Sequence, residues 1–378
     1  MIAWLLISFF VLLFLGVPIA MSLGLSAMGG ILFLGGGSTV TIAQRMFEGM
    51  NSFALLAIPL YTFAGFTMSK GGISKRLMDF CYSIVGHIYG GLAHVNVLSS
   101  MIFAGISGSA VADTAGVSGM FMPEMVRKGY SKNFTVAVTA ISSTIGIIIP
   151  PSIPMVVIAG ICGISTGKLF LGGIIPGVLC GLAQMIVSYF LAKKEGVPKE
   201  PGHFTIGPVL HGLWESWPAL LMPIIIVGTI TMGIVSPTEA GVIAVVYGLF
   251  AGGIIYRELK WEDIKFAFAE TVRTSGRIFI VIGAAKLYTV MLTTAGFDKW
   301  VAKTMLGFST NPTVILIMIL LIFFIVTMFM ESIATLTLFM PILYPIALGV
   351  GINPIVLSVL ITVVIGIGLV TPPVGMCI

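Results

Sequence analysis

Gly146-Ile147-Ile148-Ile149-Pro150-Pro151 and Gly368-Leu369-Val370-Thr371-Pro372-Pro373 are one phrase written twice, with the proline pairs 222 residues apart. In both, an apolar run meets two prolines where a plain membrane helix should continue. Proline removes a backbone donor, clashes with the preceding turn and pushes its predecessor towards extended backbone. Each phrase therefore predicts a helix broken in mid-course, with carbonyls near Gly146–Pro150 and Gly368–Pro372 freed from the helical ladder.

Three more pairs lie around this one in the same order. Gly16-Val17-Pro18-Ile19-Ala20 and Val235-Ser236-Pro237-Thr238-Glu239-Ala240 each open an apolar run, with Pro18 and Pro237 219 apart. Gly72-Ile73-Ser74-Lys75-Arg76 matches Gly296-Phe297-Asp298-Lys299-Trp300 at 224, and Met122-Pro123 returns as Met340-Pro341 at 218. Four ordered matches at nearly one spacing predict an internal repeat, residues 1–200 and 201–378. Internal repeats in membrane proteins point first to transporters, with the site where the repeats meet. The spans alone leave the relative orientation of the halves open.

That the chain is a membrane protein follows from composition. Of 378 residues 58% are hydrophobic and 9% charged, against roughly 25% charged in soluble domains. Apolar runs recur at 2–35 (one long span or two short), 53–69, 84–104, 134–149, 168–192, 216–235, 237–256, 272–293, 313–330, 335–350 and 353–370. Lipid demands that backbone polar groups be satisfied within helices or closed barrels, and these runs are too long for barrel strands. The expected fold class is an all-α polytopic membrane protein. The net charge of +5 sits in short connections (Lys70, Lys75 and Arg76; Arg127, Lys128 and Lys132), which reads as a topology signal rather than a nucleic-acid surface. Cys81, Cys162, Cys180 and Cys377 form no CxxC pair and read as small buried hydrophobes. Met1 to Leu15 lacks a basic n-region and reads as a retained first span. The chain stops at Met376-Cys377-Ile378 in an apolar context, so a truncated C-terminus is expected.

A second kind of interruption precedes each proline pair. Residues 103–118, small, polar and glycine-rich, are too polar to face lipid and too few to cross and return. A re-entrant hairpin (about 103–125) before the broken helix (about 134–162) satisfies both limits. The counterparts are about 323–350, where Glu331 and Ser332 lie deep between apolar runs, and about 355–378. Freed carbonyls with the hydroxyls of Ser107, Ser109, Ser152, Thr335 and Thr371 are hard oxygen donors that suit Na⁺. Half-helix N-termini would favour a carboxylate substrate.

Taken with Ile58-Pro59-Leu60-Tyr61, Gly105-Ile106-Ser107-Gly108-Ser109-Ala110, Ile149-Pro150-Pro151-Ser152-Ile153-Pro154, Gly172-Gly173-Ile174-Ile175-Pro176-Gly177, Ser236-Pro237-Thr238-Glu239-Ala240 and Thr371-Pro372-Pro373-Val374-Gly375, the chain resembles the large membrane subunit of tripartite ATP-independent periplasmic (TRAP) transporters, DctM type, over essentially its whole length. The resemblance implies two inverted repeats, each with a re-entrant hairpin, and a transport domain moving as an elevator against a scaffold. It implies a Na⁺-coupled importer of organic acids such as C4-dicarboxylates or sialic acid, multi-pass in the bacterial inner membrane. A small four-helix membrane subunit and a periplasmic binding protein would be its partners. The first tip then falls at Ser107 and Ser109 with Asp113 behind it, and the second around Glu331 to Thr335. The facing breaks fall at Gly146, Ile149 and Pro150, and at Gly366, Thr371 and Pro372. The family continues past Gly375 with another apolar stretch.

Single residues are weighed against plainer roles. Ser236, Pro237 and Glu239 fit a capping box. Lys286, costly in its apolar run, is expected to face a cavity or a carboxylate; it could attract an anion. Asp113 and Glu331 are the candidates for electrostatic support of a cation. Arg45 and Glu48 sit on a short segment that suits the interface. His87, His94, His203 and His211 show no ligand spacing. Two rivals to the importer remain: a standalone ion-coupled carboxylate carrier, and an intramembrane serine protease, whose GxSG pattern is met at Gly105–Gly108 and Gly116–Gly119 without a histidine in a suitable place. Cys162–Lys168 mimics a phosphate loop but lacks its first glycine and its Ser/Thr.

Overall fold

The computed structural model describes residues 1–35, 38–197 and 205–377. The first half contributes Ile2–Phe14 (α1), Ile19–Leu34 (α2), Thr39–Met50 (α3), Ala57–Lys70 (α4), Ile73–Val85 (α5), Gly91–Ser107 (α6), Ala110–Arg127 (α7), Lys132–Ser143 (α8), Ile153–Cys162 (α9) and Thr166–Lys194 (α10). The second contributes Ile206–Thr231 (α11), Pro237–Phe250 (α12), Trp261–Thr294 (α13), Phe297–Phe308 (α14), Pro312–Thr327 (α15), Ser332–Gly349 (α16) and Pro354–Leu369 (α17). No strand occurs among the described residues. The expected boundary at 200/201 lies outside them.

The halves correspond from α2 to α8 and from α12 to α17. α7 and α16 are each 18 residues long and lie 222 apart at both ends, as do the starts of α8 and α17. One departure stands out: α13 runs unbroken for 34 residues where the first half has α3 and α4 with a short turn between. Each half also packs into the other. α2 lies on α13 and α12 on α4. Tyr61 donates to the Pro237 carbonyl at 2.8 Å, and Tyr288 donates to the Leu5 carbonyl at 2.8 Å. Both rings are buried, and a buried tyrosine hydroxyl must find such a partner.

Among the described residues, six helical segments are long and apolar enough to cross a membrane, including 166–194, 206–231 and 261–294. The run at 2–35 resolves into two short helices, α1 and α2, of 13 and 16 residues. At 1.5 Å per residue each reaches only about 20–24 Å, short of a ~30 Å hydrocarbon core. Ser236 caps α12 as its sequence predicts, accepting from Glu239 N at 3.3 Å while Glu239 Oε2 accepts from Ser236 N at 2.6 Å. Ser236→Ala is expected to cost about 1 kcal/mol, read as a lower thermal midpoint in detergent with uptake intact. An unchanged midpoint would leave the box without energetic weight.

The glycine-rich stretch 103–118 is almost wholly helical. It forms the last turn of α6 and the first half of α7, and only Gly108 (φ +66°) and Ser109 leave the helix. The first hairpin is therefore longer than its polar signature, reaching back to Gly91. Its arms run antiparallel: Phe103 lies against Gly116, and Asn96 Nδ2 reaches Met125 Sδ at 3.7 Å. The second hairpin, α15 and α16, turns at 328–331. Its Phe323 and Phe339 rings meet edge to face, with centroids 6.4 Å apart. α8 packs on both arms of the first hairpin and α17 on both arms of the second.

Candidate cation site at the hairpin tips

Each proline pair silences two donors, so the carbonyls four residues earlier lose their helical partners. For Pro150 and Pro151 these are the carbonyls of Gly146 and Ile147; for Pro372 and Pro373 they are those of Gly368 and Leu369. Ser152 Oγ bonds the Ile147 carbonyl at 2.6 Å, and Cys377 N bonds that of Leu369 at 3.1 Å. Beyond each break the chain is tied to a hairpin tip. Ile153 N donates to the Gly108 carbonyl at 3.1 Å, and Val374 N to the Met328 carbonyl at 3.1 Å. Both proline–proline peptides are cis.

The first tip gathers most of the expected residues. Ser107 Oγ donates to Asp113 Oδ1 and accepts from Ser109 N at 3.3 Å. Ser109 caps α7, accepting from Ala112 N at 3.4 Å. Asp113 is fully buried, and its Oδ2 has no hydrogen-bond partner among the described residues. That oxygen is aimed at Gly146, where a Cβ would stand 2.0 Å from it. A buried carboxylate oxygen without a donor is costly unless it carries a proton or meets a cation. A carboxylate, a serine hydroxyl and a carbonyl stripped of its helical partner are the oxygen donors an alkali cation takes. Ile149 turns its side chain to Gly177 on α10, so only its main chain is offered here. Gly366 reaches this region from the other half, lying against Thr144.

The second tip is built differently. Glu331 stands where the first has Ser109 and caps α16, accepting from Ile333 N at 3.0 Å, Ala334 N at 3.3 Å and Ser332 Oγ at 2.8 Å. These donors account for its carboxylate, which reads as a cap rather than a free charge. Thr335, buried, donates to the Glu331 carbonyl at 3.1 Å, and Thr371 to the Ile367 carbonyl at 2.7 Å. Thr327 Oγ1 faces Gly368 as Asp113 faces Gly146; a Cβ there would stand 2.0 Å away. The sequence reading missed this threonine, whose signal was its place on α15 one turn before the tip.

Lys286 meets α3. It packs on Gly49 of α3, where a Cβ would come 2.6 Å from its own Cβ. Glu48 is beside it, its carboxyl held below the usual range by the Arg45 hydrogen bond and then by the Lys286 charge. The carboxylate expected for Lys286 is thus on α3, outside the hairpins. The protease geometry is absent among the described residues. Ser107 bonds a carboxylate, while His94 on the same helix bonds the Tyr89 carbonyl at 3.2 Å, and thirteen residues of helix put the two about 20 Å apart. His211 pairs with Glu215 at 3.3 Å, and His203 lies outside the described residues.

Comparison with known proteins agrees with this architecture. Residues 6–378 match the family model of the tripartite ATP-independent periplasmic transporter, DctM component. The isethionate TRAP transporter permease protein DctMQ of Oleidesulfovibrio alaskensis is 38% identical over 97% of this chain, which spans 58% of that protein's length. The sialic acid TRAP transporter large permease protein SiaM of Vibrio cholerae is 36% identical, covering 97% of this chain and 86% of that one. The C4-dicarboxylate TRAP transporter large permease protein DctM of Pseudomonas aeruginosa is 37% identical, with 94% and 83% covered. Among solved structures, the Alcanivorax borkumensis YdaH transporter superposes with a TM-score of 0.60 at 14% identity, over 88% of this chain and 78% of that one; this likeness concerns the fold alone. These relatives are membrane permeases, not enzymes, and the chain belongs to the DctM family of TRAP transporter large membrane components.

Proposed function

We propose that the chain is the transport subunit of a Na⁺-coupled importer of a small organic anion. A soluble periplasmic protein delivers the substrate, and a small four-helix membrane subunit completes the complex in the inner membrane. The observation that carries this reading is Asp113 Oδ2, fully buried, without a donor and facing Gly146 beside Ser107. Na⁺ at this tip would satisfy that oxygen and hold the hairpin against the Pro150–Pro151 break. A second ion at 328–331 against Thr371 and Pro372 would do the same for the other half. The substrate carboxylate then binds between the tips, each contributing the start of a helix, at α7 and α16. Ordering both tips with Na⁺ first creates the anion site, which couples the two, and the hairpins with α8 and α17 move as an elevator against α1–α5 and α11–α14. The relatives are named for isethionate, sialic acid, C4-dicarboxylates and 2,3-diketo-L-gulonate, which supports a small organic anion as the substrate class.

Proteoliposomes holding the complex test this with a labelled panel of those anions, adding or omitting the binding protein and an inward Na⁺ gradient. Uptake that needs both is expected; uptake with Na⁺ alone would favour a standalone carrier. Ser107→Ala removes one ligand and the donor to Asp113, and is expected to raise the half-saturating Na⁺ concentration about tenfold, as 1.4 kcal/mol of lost interaction would. Thr371→Val is expected to act in the same direction. Unchanged Na⁺ activation in both variants would overturn the site assignment.

A further inference from the structure

Below the first tip, the faces of α6 and α8 are joined by a column of polar side chains. Asn96 Nδ2 donates to Thr139 Oγ1 at 2.8 Å, Ser142 Oγ donates to Asn96 Oδ1 at 3.1 Å, and Ser100 Oγ donates to Ser142 Oγ at 3.1 Å. All four residues are buried, three of them with no exposure at all. Asn96, Ser100 and Ser107 share one face of α6, and Thr139, Ser142 and Gly146 one face of α8 and the turn after it. The column therefore ends directly under the cluster of Ser107, Asp113 and Gly146, with Ser142 about one turn below Gly146.

The fold does not need this column. At the repeat spacing of 222, Asn96, Ser100, Thr139 and Ser142 correspond to Met318, Ile322, Ile361 and Val364. A shift of one or two residues on α15 still finds only Leu, Ile, Met or Phe at the first two positions. Among the described residues no side-chain hydrogen bond joins α15 to α17; Ser358 and Thr362 bond back into their own helix at 2.7 and 2.8 Å. The same pair of helices packs with apolar contacts in one half and with a directional network in the other. Apolar faces tolerate small slides, whereas a chain of buried hydrogen bonds specifies one register.

We propose that Asn96, with Thr139, Ser142 and Ser100, is a positioning element for the cation site. It fixes the register of α6 against α8, so that Ser107 on one helix and Gly146 on the other stay converged on Asp113 Oδ2. The first tip is thereby held preformed, and the second, without such a column, is the half that adjusts when ligands bind. This inference rests on the reading of the first tip as a cation site.

The test uses the complex in detergent, with NaCl replacing KCl at constant ionic strength and thermal stabilisation by Na⁺ as readout. Asn96→Met installs the second half's residue; Thr139→Val removes one hydroxyl at nearly constant volume, and Thr139→Ser keeps it. The first two are expected to raise the NaCl midpoint about tenfold, the usual scale for losing a partner that orients an ion's ligands, and Thr139→Ser to leave it within about twofold. In proteoliposomes the half-saturating substrate concentration at saturating Na⁺ should stay unchanged, which a general loss of packing would not allow. Ser107→Ala run alongside separates the two readings. If it shifts the midpoint while Asn96→Met and Thr139→Val do not, the positioning role is wrong and the site stands. If none shifts it, both are wrong. Should Asn96→Met fail to fold, Thr139→Val against Thr139→Ser decides.

Discussion

Asp113→Asn is expected to abolish Na⁺-driven uptake while leaving the chain folded. The amide keeps an oxygen for the Ser107 hydroxyl and nearly the shape of the carboxylate, so the packing around it survives. It removes the carboxylate charge from the first tip and points an NH₂ or a weaker carbonyl at the place the cation would take. Interactions with a charged group contribute about 1.5–3 kcal/mol, and the upper end corresponds to about a 100-fold loss in affinity. The variant should therefore show no Na⁺ activation at concentrations that saturate the parent. Stability supplies a second readout of opposite sign. Without Na⁺, the parent buries a carboxylate oxygen that no donor meets, a burden the amide relieves. In Na⁺-free buffer the thermal midpoint of Asp113→Asn is expected to match or exceed that of the parent, and the stabilisation added by NaCl should vanish. A variant that still responds to Na⁺, or one that is simply less stable in all salts, would show that Asp113 is a packing residue.

What could be read from sequence divides along physical lines. Composition and the lengths of apolar runs state the solvent directly, because lipid leaves so few ways to satisfy a backbone. The breaks were legible because Pro150-Pro151 and Pro372-Pro373 act through covalent structure and need no tertiary context. The tip at Ser107–Ser109 could be placed from its small and polar residues, but not the extent of its arms. Residues 110–118 look like loop by composition, yet they form helix because α6 and α8 enclose them and Ser109 caps their start. Packing overrides propensity there. The contrast between Asp113 and Glu331 was also out of reach. Both are carboxylates at the start of a hairpin's second arm, but Glu331 is the capping residue itself, and Asp113 lies one turn further in. One helical turn decides between a carboxylate with three donors and one with a lone oxygen. The partner of Lys286 was out of reach for a related reason, since the carboxylate beside it lies on α3, some 240 residues away in sequence, and no local pattern announces it. The Asn96 column left a faint signal, hydroxyls and an amide at helical spacing in otherwise apolar runs, which gains meaning only beside the apolar residues of the second half.

Gly146→Ala is expected to damage both the fold and the site. The added Cβ would stand 2.0 Å from Asp113 Oδ2 and 3.0 Å from its Cγ. Asp113 cannot retreat: it is fully buried, and Ser107 holds its other oxygen. Overpacking of this kind costs about 1–3 kcal/mol, and here it is spent on pushing apart the two groups that define the site. Both the thermal midpoint and Na⁺-driven uptake should fall. The control lies on α7, where Gly119→Ala meets nothing within 4 Å and gains helix propensity, so it should be neutral or slightly stabilising. The double variant Gly146→Ala with Asp113→Ala separates steric from chemical loss. Removing the carboxylate makes room for the methyl, so stability should recover well beyond the sum of the single effects, as coupled neighbours do. Uptake should not recover, because the oxygen that meets the cation is gone. Recovery of both would mean that Gly146 and Asp113 only pack against each other; recovery of neither would mean that the methyl disturbs the Pro150 break itself.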